Sequence, residues 1–217
     1  MLKVKICGIT NLADARYCAG AGADFLGFIQ YEKSPRYAAP KVAKEIIAWV
    51  YGPEPVGVFV NEPAETMNEV AADVGFAYVQ LHGNESPEVC AEIERPIIKA
   101  VPVVHDASPE QLRWIMEPYA KHVDLFLLDT HKTNYWGGTG ESFNWRLVKE
   151  LARDFPLFLA GGIGAHNVEE AVRTMQPLGV DLSSSVESAP GKKDFDKLAD
   201  FFEAFDALKH ALQEETR

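Results

Sequence analysis

The stretch Lys3-Val-Lys-Ile-Cys-Gly-Ile-Thr10 has the pattern of a short β-strand that ends in a turn. Its apolar residues alternate with Lys5 and Cys7, so one face of the strand is apolar and the other carries chemically active groups. Gly8 breaks the strand, and a helical stretch begins at Asn11. Cys7 is either a small buried apolar residue or a functional thiol at the end of a sheet, where α/β proteins keep their reactive groups. The rest of the chain favours the functional thiol.

Eight short apolar runs recur along the chain with helical stretches between them. Several are apolar almost throughout, which is typical of strands in a parallel sheet that helices cover. Their starts lie roughly 25 residues apart, the size of one strand–helix unit. This alternation predicts an α/β protein with a closed (β/α)₈ barrel, the TIM-barrel architecture, as a single domain over residues 1–217. The runs are Leu2–Cys7, Phe25–Ile29, Val56–Val60, Tyr78–Leu81, Ile97–Val101, Val123–Asp129, Leu157–Ala160 and Val180–Ser183.

The segments between the runs carry helix signals. A cap and an early proline within Asn61–Pro63 predict a helix over Ala64–Val74. Phe195–Leu212 has apolar residues at helical spacing and predicts an amphipathic helix packed across the barrel. The longest break from periodicity is Thr130–Phe143, a Gly-rich segment directly after the sixth strand. Such a loop is either disordered or a working lid, and its position favours a lid.

Composition narrows the class of protein. The net charge of −11 and the pI near 5.0 argue against a broad basic surface for nucleic acid or an anionic membrane. The three cysteines are widely spaced, which indicates neither a disulfide framework nor a zinc cluster and favours a reducing compartment. The N-terminus lacks the apolar run of a signal peptide, and no apolar segment is long enough to span a bilayer. We therefore expect a cytoplasmic protein, and a monomer because no exposed apolar strip stands out.

Polar and small residues gather where the predicted strands end. In a barrel of this kind the carboxyl ends of the strands form the active face, so these side chains are expected at one site. The candidates are Cys7, Arg36, Asn61, Gln80, His82, Lys99, Asp129, Gly161, Gly162, Asp181, Ser183, Ser184 and Ser185.

The ends of the seventh and eighth strands predict a phosphate site. Gly161-Gly162 precedes a helix expected to start near Ala165, and Ser183–Ser185 follows the next strand. Main-chain N–H groups from adjacent turns, hydroxyl groups and the positive end of a helix suit a phosphate. The alternative is that the glycines only permit tight turns. Placement after strands seven and eight favours phosphate binding.

Cys7 and Asp129 end strands one and six, on opposite sides of the predicted mouth. A thiolate and a carboxylic acid across a bound sugar form a general base and a general acid. Their ordinary pKa values, about 8.5 and 3.9, would have to shift toward neutrality for these roles. Lys5 shares a strand face with Cys7, so its ammonium group is expected near the mouth, where it would favour the thiolate. The alternative for Asp129 is a helix-capping or ion-paired carboxylate.

Arg36 and His82 are individually weaker signals. The planar guanidinium of Arg36 is suited to hold a carboxylate by two hydrogen bonds, although the residue is also interpretable as a surface charge. His82 is a candidate metal ligand by type, but the other histidines show no paired ligand spacing, so no metal is assigned. We expect Arg36 and His82 to bind substrate, together with Gln80 and Asp181.

Eight motifs resemble the phosphoribosylanthranilate isomerase family of tryptophan biosynthesis, in order over nearly the whole chain. They are Lys5-Ile-Cys-Gly-Ile-Thr10, Ser34-Pro-Arg-Tyr37, Val58-Phe-Val-Asn61, Val79-Gln-Leu-His-Gly83, Leu128-Asp129, Gly137-Gly-Thr-Gly140, Leu159-Ala-Gly-Gly162 and Asp181-Leu-Ser-Ser184.

The resemblance implies an Amadori rearrangement of N-(5-phosphoribosyl)anthranilate to the carboxyphenylamino-deoxyribulose phosphate. By this analogy Asp129 protonates the ring oxygen and Cys7 removes the C2 proton. Arg36 would hold the anthranilate carboxylate, and Gly161, Gly162 and Ser183–Ser185 would hold the phosphate. The partner is a small phosphorylated molecule, and neither a metal nor an organic cofactor is implied.

Two positions depart from the family pattern, and two other functions stay open. The family usually has glycine in place of Ser185, which would be strained if the backbone there requires positive φ. It usually has a basic residue in place of Glu141, so an acid there would weaken capture of an anionic substrate. The alternatives are another phosphosugar isomerase or epimerase barrel, and a phosphate-binding barrel without catalysis.

Overall fold

The computed structural model describes residues 2–104, 107–129 and 149–215, and in these ranges the predicted barrel is present. Eight parallel strands close on themselves in sequence order, because the first strand pairs with both the second and the eighth. This confirms the predicted fold class. The predicted lid over Thr130–Phe143 and the departure at Glu141 lie outside the described residues. The strands are β1 Lys3–Cys7, β2 Phe25–Ile29, β3 Glu54–Phe59, β4 Tyr78–Leu81, β5 Ile97–Pro102, β6 Leu125–Asp129, β7 Leu157–Ala160 and β8 Gly179–Leu182.

Helices connect the strands and cover the outside of the barrel. No helix in the described ranges combines the length and the apolar composition needed to cross a bilayer. The helices are α1 Leu12–Gly20, α2 Pro40–Ile47, α3 Ala64–Val74, α4 Pro87–Ala91, α5 Pro109–Met116, α6 Leu151–Asp154, α7 Val168–Met175 and α8 Phe195–Glu215. A short 3₁₀ turn over Ser184–Val186 and a hairpin of β9 Glu187–Ala189 and β10 Lys192–Lys193 separate β8 from α8.

The predicted bounds of α3, Ala64–Val74, are confirmed, whereas the residue predicted to cap it is wrong. Gly75 ends α3 with φ of +86°, a conformation that glycine adopts without strain. Its N-cap is Pro63, and Asn61 does not cap it. Asn61 instead has φ of +55°, and its side-chain oxygen accepts a hydrogen bond from the Asn84 amide at 2.7 Å. The helix expected near Ala165 begins at Val168.

The last helix, α8, packs against α1, α7 and the 3₁₀ turn after β8 and does not lie across the barrel as predicted, and its aromatic stripe differs slightly from the predicted one. Phe201, Phe202 and Phe205 are buried. Phe195 was expected in the stripe but is 42% exposed, and it stacks on Tyr17 with ring centroids 4.4 Å apart. The stripe therefore begins one turn later than the spacing alone predicts.

Alternation along β1 divides its residues between the two sides of the sheet. Val4 and Ile6 belong to the apolar layer between the sheet and the helices, where both are fully buried. Cys7 belongs to the separate cluster that fills the inside of the barrel. Lys5 alternates with the outer residues and is 0% exposed, so the polar face predicted for this strand points into the barrel.

Candidate active site

A cavity of about 300 Å³ opens at the carboxyl ends of the strands. Apolar side chains such as Ile29, Val58 and Ile163 form part of its wall. The eleven residues expected to be catalytic or substrate-binding all line it: Cys7, Arg36, Gln80, His82, Asp129, Gly161, Gly162, Asp181, Ser183, Ser184 and Ser185.

Two other strand-end candidates are not among the residues lining this cavity. Lys99 lies on the helix-facing side of β5, where its ammonium group binds Glu85 at 2.8 Å and lies over the ring of Tyr119. Asn61 accepts from Asn84 as described above, and its main-chain N–H donates to Glu85 at 2.8 Å. Both residues therefore organise the loop after β4, which Asn61 ties to the end of β3 and Lys99 ties to β5.

Cys7, Lys5 and Asp181 form a buried cluster at the floor of the cavity, which Cys7 and Asp181 line. The Lys5 ammonium group donates to Asp181 Oδ1 at 3.0 Å and also lies within hydrogen-bonding reach of the Cys7 thiol. Gly27 on β2 leaves room for this arrangement, because a Cβ there would lie 2.9 Å from Cys7 Sγ and 3.1 Å from Lys5 Nζ. Lys5 is therefore next to Cys7 as predicted, although it is buried within the barrel and not at the mouth.

The electrostatic effect of this cluster on the thiol is mixed. Burial raises the pKa of Cys7, and the Lys5 charge opposes that rise without cancelling it. Burial alone would lower the pKa of Lys5, but the charges and hydrogen-bonding groups of Asp181 and Cys7 together outweigh burial, and the pKa of Lys5 is raised. The cluster thus holds a protonated lysine beside a thiol, and the lysine charge offsets part of the cost of forming a thiolate in this buried site.

Gln80, His82 and Asp129 form a row across the opposite side of the cavity. The Gln80 Nε2 atom lies 3.0 Å from His82 Nδ1, and His82 Nε2 lies 3.6 Å from Asp129 Oδ2. Donation from the Gln80 amide to Nδ1 leaves the imidazole proton on Nε2, facing Asp129. The Gln80 Oε1 atom is buried and has no hydrogen-bond partner within the described residues, which suits it to accept from a ligand hydroxyl.

The turns after β7 and β8 meet as the phosphate prediction requires. Gly161 and Gly162 have φ of +86° and +70°. The Asn167 side chain fixes this turn by accepting from the Gly164 amide at 2.9 Å and donating to the Gly162 carbonyl at 3.0 Å. Among the described non-glycine residues only Asn61 and Gln176 have positive φ. Ser185 therefore sits in its turn without the strain that a glycine-specific conformation would impose.

Arg36 reaches the cavity from the loop after β2 and binds a carboxylate that the sequence did not reveal. Its Nε and Nη2 atoms donate to Glu187 at distances of 2.7 to 3.0 Å. Glu187 also binds Lys193, whose side chain is fully buried, at 3.1 Å. Both residues belong to the hairpin after β8. Sequence reasoning missed them because they follow the last strand end and join Arg36 only through the fold.

The comparisons with known proteins agree over the full chain. A model of the N-(5'-phosphoribosyl)anthranilate isomerase family matches residues 4–204. The isomerase of Pelobacter propionicus is 44% identical and covers 100% of both chains, and that of Aquifex aeolicus is 43% identical over 93% of this chain and 97% of its own.

Solved structures agree as well. The phosphoribosyl anthranilate isomerase of Thermotoga maritima superposes with a TM-score of 0.85 at 40% identity, covering 95% of this chain and 100% of its own. Another, at a TM-score of 0.83, 37% identity and the same coverage, is a complex with reduced 1-(o-carboxyphenylamino)-1-deoxyribulose 5-phosphate. The chain therefore belongs to the N-(5'-phosphoribosyl)anthranilate isomerase family.

Proposed function

We propose that this chain is the aldose–ketose isomerase that converts N-(5'-phosphoribosyl)anthranilate to 1-(2-carboxyphenylamino)-1-deoxyribulose 5-phosphate in tryptophan biosynthesis. The observation that carries the proposal is the shared cavity. A thiol on β1, a carboxyl group on β6, a phosphate-type turn after β7 and an arginine from the β2 loop all line it. These groups match a substrate that has a carboxylate at one end, a phosphate at the other and a sugar between them.

The substrate is held at its two charged ends. The turns at Gly161, Gly162 and Ser183–Ser185 surround the phosphate with main-chain N–H groups and hydroxyls. Arg36 binds the anthranilate carboxylate by paired hydrogen bonds. Gln80 accepts a hydrogen bond from a sugar hydroxyl through its unpartnered Oε1 atom. Fixing both ends places the furanose between Cys7 and Asp129, which is where orientation contributes most to the rate.

The first chemical step opens the ring. Asp129 donates its proton to the ring oxygen while the nitrogen lone pair forms the C1=N bond, so the C1–O bond breaks and a protonated Schiff base results. The acid is then a carboxylate next to His82, whose Nε2 lies 3.6 Å away. The Nε2 side of this imidazole faces the new negative charge and stabilises it electrostatically.

The second step moves the double bond. The Cys7 thiolate removes the C2 proton, and the C–H electrons form C1=C2 while the C1=N pair returns to nitrogen. The resulting enolamine loses its C2 hydroxyl proton and gains a proton at C1 to give the ketone. Every step is a proton transfer with rearrangement of bonds within the substrate, so the proposal invokes no metal and no organic cofactor.

Turnover of freshly generated phosphoribosylanthranilate, followed as loss of its fluorescence, tests this function. We expect rapid conversion by the purified chain. Absence of turnover, with the phosphate site still able to bind inorganic phosphate, would contradict the proposal. It would favour another phosphosugar substrate or a barrel that binds without catalysis.

The charges of Lys5 and Asp181 predict opposite shifts in the pH profile. Because the base is a thiolate, the rate rises with pH through the pKa of Cys7. Lys5 lowers that pKa and Asp181 raises it. We expect Lys5→Met to move this limb of the kcat/KM profile up by about one pH unit, which reduces the rate at neutral pH by roughly tenfold.

Asp181→Asn should move the same limb to lower pH. The measurement is the kcat/KM profile of both variants and the wild type, with folding checked by circular dichroism. Shifts in the same direction, or no shift in either variant, would refute control of the thiol by these two charges.

We also propose that the enzyme works as a monomer in the cytoplasm on this small phosphorylated substrate, without nucleic acid or membrane. The acidic net charge of −11 and the three free, buried cysteines support this. We expect light scattering of the purified chain to give a molar mass near 24.0 kDa, the mass of one chain.

A further inference from the structure

Glu187, 151 positions further along the sequence, holds one edge of the Arg36 guanidinium. Its Nε donates to Oε1 at 2.9 Å, and its Nη2 donates to Oε2 at 2.7 Å. The arginine stem crosses Gly8, where a Cβ would lie 2.8 Å from Arg36 Cδ and where φ is +80°. The absence of a side chain at Gly8 therefore gives Arg36 its route from the β2 loop to Glu187. The Nε/Nη2 edge of the guanidinium is fully occupied.

The second edge of the guanidinium, formed by Nη1 and the outer hydrogen of Nη2, is available. Nη1 donates no hydrogen bond within the described residues, and Arg36 lines the cavity with 23% of its side chain exposed. A planar guanidinium can hold two carboxylates at once, one on each edge. With one edge held, the plane and direction of the other edge are determined.

Lys193 keeps this arrangement positively charged. Its ammonium group lies 3.1 Å from Glu187 Oε1 and donates to the main-chain oxygens of Cys7 at 2.6 Å and Ser183 at 3.3 Å. Although burial favours neutral Glu187, the hydrogen bond from Arg36 and the Lys193 charge hold the pKa of this carboxyl group below its usual value. Two cations and one anion leave a net positive charge, so Glu187 does not cancel the attraction of Arg36 for a second carboxylate.

The same group of residues links the substrate-binding ends of the site. Lys193 contacts the strand end that carries the base and the turn proposed for the phosphate, while Glu187 contacts the arginine. We propose that Glu187 is a positioning residue that aims the second edge of Arg36 at the substrate carboxylate. This inference rests on the proposed function and deepens it. Glu187 touches no substrate, and its effect is to remove the rotamer freedom that Arg36 would otherwise lose on binding.

The test compares two ligands by calorimetry. One is reduced 1-(o-carboxyphenylamino)-1-deoxyribulose 5-phosphate, and the other is the same compound without the carboxylate. The ratio of their dissociation constants measures what the carboxylate contributes. We expect Glu187→Gln to lower this ratio by about tenfold, with the affinity for the carboxylate-free ligand unchanged. In turnover assays KM should rise while kcat changes little.

Two further variants separate positioning from a general structural effect. In Arg36→Met the ratio should fall further, and adding Glu187→Gln to it should cause no additional loss, because Glu187 acts through Arg36. Asp154→Asn is the matched control, since Asp154 also pairs with an arginine, Arg113, but is half exposed and does not line the cavity. It should leave both affinities unchanged.

The outcomes are distinct. Three results would each overturn the positioning role. They are an unchanged ratio of dissociation constants in Glu187→Gln, an equal loss of affinity for both ligands, and additive losses of affinity in the double variant. If the wild type binds neither ligand, the proposed function itself fails, and this inference fails with it. A wild type that binds both ligands equally would refute carboxylate recognition by Arg36 while leaving the isomerase chemistry standing.

Discussion

Replacing Cys7 by serine is expected to reduce kcat by on the order of 10²-fold or more while the substrate still binds. A serine hydroxyl is nearly the size of the thiol, but its pKa is far too high for it to accept the C2 proton near neutral pH. Burial raises the pKa of Cys7, and the charges of Lys5 and Lys193 oppose that rise and so favour the thiolate that removes the proton. The limb of the pH profile that follows Cys7 should disappear in the variant. The measurement is steady-state turnover from acidic to alkaline pH.

The matched control for this variant is Cys90→Ser. Cys90 lies on α4, is buried and does not line the cavity, so its replacement tests whether losing a buried thiol is harmful in itself. We expect kcat close to that of the wild type. A Cys7→Ser enzyme with normal kcat would remove Cys7 from the chemistry and require another base in the cavity.

Much of the fold follows from the spacing of apolar runs. Phe25–Ile29, Tyr78–Leu81 and Leu157–Ala160 agree with the structure at both ends, and the other strands shift by one or two residues. The reason is that parallel strands buried on both sides are apolar throughout, so they stand out from the amphipathic helices. The ends of each strand depend on its hydrogen bonding with the neighbouring strands, and the sequence of a single strand carries no information about that pairing.

The sequence predicted which residues of the site are brought together by barrel closure. It did not predict the features that depend on the direction in which a side chain points. Barrel closure brings the carboxyl ends of all strands together, so Cys7 and Asp129 share a cavity as expected. Lys99 is a strand-end candidate in the sequence, but Ile98 and Ala100 point inward on the same strand, which turns Lys99 outward. Strict alternation of inward and outward side chains along β5 excludes Lys99 from the inside of the barrel.

The Arg36–Glu187 contact shows a different limit of sequence reasoning. The two residues are 151 positions apart, and neither stands in a pattern that points to the other. Their pairing requires the closed barrel, the bare backbone at Gly8 and the hairpin after β8. Only the assembled structure brings these together.

The second large effect is expected for Asp129→Asn, with kcat reduced on the order of 10²-fold or more. The amide has the size of the carboxyl group, so substrate binding should be retained. It has no acidic proton to give to the ring oxygen, and ring opening becomes rate-limiting. The measurement is steady-state turnover of the variant and the wild type.

Asp73→Asn is the control, because Asp73 is exposed and pairs with Lys44 outside the cavity. It should leave kcat and the whole pH profile unchanged. Full activity of Asp129→Asn would move the acid role to His82, whose Nε2 lies 3.6 Å from Asp129 Oδ2 and lines the same cavity. In that case His82→Gln, and not Asp129→Asn, would reduce kcat, since His82 would then be the group that gives its proton to the ring oxygen.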